Sequence, residues 1–103
     1  MSQTLNSPVR SEFADDPDFD ELLEFFVEAI PERVTKLKQS HETGNMSELK
    51  TLAHQLKGAG GGYGFPDLST VAAKLEHCCK AGETAEIGPN LDELLEYLAR
   101  ITV

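Results

Sequence analysis

The chain has 103 residues, which suits one domain with a single modest core and leaves little room for a second. Eighteen acidic residues against nine basic ones give a formal charge of −9, which repels nucleic acid and anionic membrane surfaces at long range. Leu, Ala, Glu and Lys dominate the periodic segments, tryptophan is absent and β-branched runs are short, so helix is favoured over strand.

Residues 1–14 read as a polar N-terminal arm, with one short helical turn near Val9 to Phe13, and residues 15–103 as the domain proper. Asp15-Asp16-Pro17-Asp18 marks a helix start, supplying capping oxygens and negative charge at the positive end of a dipole. From there Phe19, Leu22, Leu23, Phe26, Ile30, Val34 and Leu37 recur at helical spacing. The stripe keeps its phase across Pro31, which predicts one kinked helix ending at Gly44. Asn45 and Glu48 resemble a capping box for a second helix, with Leu49, Leu52, Leu56 and Tyr63 inward and an end near Gly64. Pro66 fits the first turn of a third helix, which carries Leu68, Val71, Ala72, Leu75 and Cys79 inward and stops at Gly82. A fourth helix starts at Ala85, or at Pro89 if Gly88-Pro89 breaks it, with Leu91, Leu94, Leu95, Leu98 and Ile101 as its stripe. Four amphipathic helices on short loops can hide their stripes only against one another, so the expected fold is all-α, an antiparallel up-and-down four-helix bundle.

The second helix carries the chemistry, in the run from His54 to Gly64. At about 100° per residue, His54 falls roughly 160° from the middle of the predicted core face and points into water. Lys50, Lys57, Gly58 and Gly61 share its outward side. A neutral imidazole is a good nucleophile near neutral pH. Ammonium groups on either side attract a phosphoryl group and disfavour the protonated ring. Each helical glycine costs up to about 1 kcal/mol relative to alanine, a cost a helix bears where something must approach its backbone. Gly58 and Gly61 therefore read as clearance for a docking partner, and Gly60, facing inward, as the close approach of a neighbouring helix.

These residues resemble the signature of histidine-containing phosphotransfer (HPt) domains. His54, Leu56, Lys57, Gly58 and Gly64 match the family pattern, Ala53 and the later Leu75-Glu76 fit it, and the resemblance covers residues 17–101. Where the family often has a serine after Lys-Gly, this chain has Ala59. The resemblance implies a phosphorelay protein. His54, through Nε2, would accept a phosphoryl group from a receiver-domain phosphoaspartate and pass it to another receiver. It implies response-regulator receivers and a hybrid histidine kinase as partners. It also implies a monomeric carrier rather than an enzyme, with no cofactor of its own, since the Mg²⁺ for transfer sits in the receiver's acidic pocket. The chain has no ATP-binding motif, in agreement. The alternative is an adaptor bundle that binds receiver or kinase domains without being phosphorylated.

If the turn between helices two and three centres near Phe65, His54 lies level with Glu76. Glu76 would then either accept a hydrogen bond from the second ring nitrogen and fix the tautomer, or remain solvated and pair with Lys80. Of the remaining candidates, His41 suits a helix C-terminus. His77 with the adjacent Cys78-Cys79 is a poor metal site, because neighbours on a helix diverge. Phe25 lies off the main stripe and would either cover the arm or belong to an exposed docking patch. No run approaches the roughly 18 apolar residues of a membrane span, and Met1 to Arg10 lacks a signal-peptide core, so no membrane partner and a cytoplasmic location are expected.

Overall fold

The computed structural model describes residues 7–102. Four helices, α1 (Asp20–Glu42), α2 (Met46–Gly62), α3 (Pro66–Ala81) and α4 (Thr84–Arg100), run up and down in chain order. Each packs on the next and α1 closes the ring against α4, with α2 and α3 forming the most extensive pair. No strand is present among the described residues.

Most of the local start and stop signals act as the sequence implies. Asp16 caps a short 3-10 turn, Pro17–Phe19, that leads into α1, and α1 runs unbroken through Pro31. Asn45 Oδ1 accepts from the Glu48 amide at 3.1 Å. The other half of the expected capping box is absent. Glu48 Oε1 accepts instead from Ser40 Oγ at 2.9 Å, and the Asn45 amide donates to the Ser40 carbonyl. Gly44, Gly64 and Gly82 stand at the helix ends with φ of 71°, 83° and 71°. Pro66 opens α3. α4 begins at Thr84 and continues through Pro89, so the Gly88-Pro89 pair does not break it.

The core is built of Leu37, Leu49, Ala53, Leu68, Ala72, Leu75 and Leu94, all fully buried. Several stripe assignments shift by one position. Ala53 lies on the inner face of α2 while Leu52 is only partly buried, Cys78 rather than Cys79 is the buried thiol of α3, and Ile87 and Tyr97 join the α4 stripe. Leu22, expected inside, is 49% exposed. Phe19 packs partly buried against the core and stacks on Phe13, ring centroids 4.5 Å apart.

The arm is tied down, and not by a helical turn. Val9 pairs with the end of α4 in an isolated parallel bridge to Ile101. Ser11 Oγ donates to the Tyr63 carbonyl at 2.6 Å, and the Glu12 amide donates to the Gly64 carbonyl. Residues 12–15 form turns. The arm thus seals the α2–α3 turn. It does not cover Phe25, which remains 69% exposed.

Candidate functional site

With Ala53 and Gly60 inward, the core face of α2 is centred so that His54 lies roughly 130° away from it. The His54 side chain is 64% exposed and that of Glu76 only 12%. Glu76 reaches across from α3, with Oε2 2.9 Å from His54 Nδ1 and Oε1 2.8 Å from Lys57 Nζ. One carboxylate therefore joins the imidazole and the ammonium that sit one turn apart on α2. No Glu76–Lys80 ion pair forms among the described residues.

The Lys57 ammonium is the main influence holding the Glu76 carboxyl below its ordinary range; partial burial opposes it and the His54 contact assists. An ionised carboxylate only accepts hydrogen bonds, so Nδ1 carries the hydrogen in this contact. In the neutral ring the lone pair then sits on Nε2, which has no hydrogen-bond partner among the described residues. A depressed carboxylate pKa adds stability at pH values above the unfolded-state pKa and loses it as pH falls through the folded-state value. Wild type is therefore expected to lose stability relative to Glu76→Gln as pH drops below the ordinary value of 4.5. Denaturant midpoints of the two proteins across that range check this; parallel curves would contradict it.

Around this centre the outward face of α2 is cleared unevenly. A Cβ at Gly58 or Gly62 would meet nothing within 4 Å. Gly61, also exposed, turns toward α3, where its nearest neighbour would be Ser69 Oγ at 3.8 Å. Gly60 faces α3 at close range: a Cβ there would lie 2.6 Å from Ser69 Oγ and 2.7 Å from the Ser69 nitrogen. Lys50 is exposed one turn before His54. Burial is the main influence raising the Cys79 thiol pKa, and the nearby Lys50 offsets part of it. Burial also raises Cys78, so both free thiols are held in the unreactive form. On the α3 side, Lys57, His77 and Lys80 rim a shallow depression whose floor includes Glu76. Among the described residues no group of three or more His, Cys, Asp or Glu side chains is placed to hold a metal ion.

A comparison with protein-family models matches the Hpt domain over residues 21–102. The chain belongs to the Hpt domain family. Searches of curated proteins and of solved structures each returned no match. An Hpt domain takes part in phosphorelay histidine phosphotransfer within two-component signalling, with response-regulator receivers and kinases as its partners. The match spans all four helices, so the bundle and the His54–Lys57–Glu76 cluster lie within the family's domain. No helix among the described residues of this Hpt domain is long and apolar enough to cross a membrane.

One residue near the site escapes sequence reasoning. Ser69 donates from Oγ to the Lys57 carbonyl at 2.6 Å, across the α2–α3 contact. It carries no local signal, because it matters only through the docking of one helix on another. His77, weighed in the sequence only as a metal ligand, borders the Glu76 depression instead.

Proposed function

We propose that His54 accepts a phosphoryl group from the phosphoaspartate of one receiver domain and passes it to the aspartate of another. The observation that carries this reading is an exposed imidazole whose Nδ1 is held by an ionised carboxylate, so that the lone pair of Nε2 faces solvent. In the forward step the Nε2 lone pair attacks phosphorus in line. The N–P bond forms, the bond from phosphorus to the aspartyl oxygen breaks, and the receiver's carboxylate leaves with the electron pair. The ring keeps its Nδ1 hydrogen and gains positive charge, which Glu76 stabilises at 2.9 Å. Transfer onward reverses these steps on the second receiver.

Lys57 has two roles in this reading. It neutralises Glu76 in the resting protein and, one turn from His54, offers positive charge to the incoming phosphoryl oxygens. Lys50 adds charge from the preceding turn. Gly58 and Gly61, joined by Gly62, let the receiver approach the helix backbone. Phe25 extends the docking face onto α1. It lies one turn before Ala29, which shares a groove with Leu52 and Gln55 of α2. The protein acts as a monomeric carrier in the cytoplasm, with the metal ion and the acidic catalytic groups contributed by the receiver.

The test is transfer of label from a ³²P-phosphorylated receiver. Wild type is expected to gain an acid-labile, base-stable label that a second receiver removes, and His54→Gln to gain none. An unlabelled wild type would favour the adaptor reading, and undiminished label on His54→Gln would place the chemistry on another residue.

A further inference from the structure

We infer that Ser69 is a positioning residue for His54: its contacts with Gly60 and the Lys57 carbonyl set the register of α3 on α2 and hold the Glu76 carboxylate at Nδ1. The inference rests on the proposed role of His54 as the phosphorylated residue.

The argument is one of helical spacing. Ser69 and Glu76 are seven residues apart, two turns or about 10.5 Å along α3, and so lie on one face. His54 and Gly61 are separated by the same two turns on α2. Because the helices run antiparallel, pinning Ser69 beside Gly60 and Gly61 brings Glu76 level with His54. Both ends of this ladder are in contact. At one end Ser69 Oγ is 2.6 Å from the Lys57 carbonyl oxygen; at the other Glu76 Oε2 is 2.9 Å from His54 Nδ1.

The Ser69 end is the tighter one. A Cβ at Gly60 would stand 2.7 Å from the Ser69 amide nitrogen and 2.9 Å from the Phe65 carbonyl oxygen, both backbone atoms. Absence of a side chain at Gly60 lets the helices close, and the Ser69 hydroxyl converts that proximity into a fixed axial position. Apolar packing alone specifies axial position less sharply than a directional bond does. The precision matters at the other end, since displacing Glu76 by about 1 Å along its contact with Nδ1 takes it beyond hydrogen-bond reach. Lys57 meets α3 twice, by its carbonyl to Ser69 and by its ammonium to Glu76, and it is Glu76 that places the cation beside His54. Position 59, after Lys57-Gly58, is an alanine and offers no hydroxyl. Ser69 brings a hydroxyl to this stretch of α2 from the opposite helix.

The experiment uses the full chain and two readouts, ¹⁵N NMR of the His54 ring and single-turnover transfer from a phosphorylated receiver. Ser69→Ala is expected to remain folded, to move part of the neutral His54 population to the Nε2–H tautomer, and to slow transfer by about three- to tenfold. In a Glu76→Ala background the same substitution is expected to change neither readout, because Ser69 acts through Glu76. An unchanged tautomer in Ser69→Ala would overturn the inference, as would a further slowing in the Glu76→Ala background. The tautomer measurement needs no phosphate. If wild type takes no label while Ser69→Ala still shifts the tautomer, the phosphotransfer reading fails and the positioning of the ring by Ser69 stands.

Discussion

Gly60→Ala is expected to destabilise the protein by about 1–3 kcal/mol, the usual cost of forcing a methyl group into a closed contact. For a domain of this size that corresponds to a fall in Tm of roughly 4–8 °C per kcal/mol. The new Cβ would lie 2.6 Å from Ser69 Oγ, 2.7 Å from Ser69 N and 2.9 Å from Phe65 O. The hydroxyl can rotate away, but the two backbone atoms retreat only if the start of α3 moves. Gly58→Ala, two positions earlier on the same helix, is the internal control. Its Cβ meets nothing within 4 Å, so the change is expected to stabilise by about 0.5–1 kcal/mol through helix propensity alone. Opposite signs for one substitution on one helix separate an interhelical contact from a general intolerance of α2 to side chains. Thermal or denaturant unfolding decides it, and a stabilised Gly60→Ala would mean that α2 and α3 are not so closely packed.

Glu76→Ala is expected to slow phosphotransfer by about ten- to a hundredfold, the order of loss when a reacting group is no longer held in its productive orientation. Without Glu76 the neutral ring can protonate either nitrogen, and the Nε2–H tautomer has no lone pair at the attacking position. Lys57 is also released from its 2.8 Å contact and no longer held one turn from the ring. Folding stability near neutral pH should fall as well, because the carboxylate whose pKa Lys57 holds down is lost, so rates are compared on protein shown to be folded. Glu76→Gln should fall between the two, since its amide oxygen can still accept from Nδ1–H but carries no charge to support a positive phospho-imidazole. The measurement is the transfer rate at saturating phosphorylated receiver, so that docking does not limit it. Equal rates for wild type, Gln and Ala would rule out the orienting role.

The bundle was readable because each helix announces itself through spacing. Phe26, Ile30 and Leu37, or Leu91, Leu94 and Leu98, leave one face apolar, and short glycine-ended loops make neighbours antiparallel. Spacing locates a face only to within a residue or so, which is why it points Leu22 inward and does not single out Ala53 and Cys78 as core. Phe19 is held by Phe13, a partner supplied by the arm, while Leu22 is left facing solvent. The arm was the least legible part. Its turns are held by Ser11 on Tyr63 and by Val9 on Ile101, partners 52 and 92 positions away that no local pattern reveals. At the site, His54, Lys57 and Gly58 stand out by type and spacing on a single helix. Glu76 could be reached only by assuming the register of two antiparallel helices. Ser69 could not be reached, because it looks like any other first-turn serine until its hydroxyl is seen on the Lys57 carbonyl.

The most direct test of the central claim is to locate the phosphoryl group on the ring. After loading from a phosphorylated receiver, ³¹P and ¹⁵N NMR are expected to show a single N–P bond at Nε2 of His54, with Nδ1 still protonated against Glu76. A phosphoryl group at Nδ1, on His41 or His77, or on no histidine at all would contradict the account.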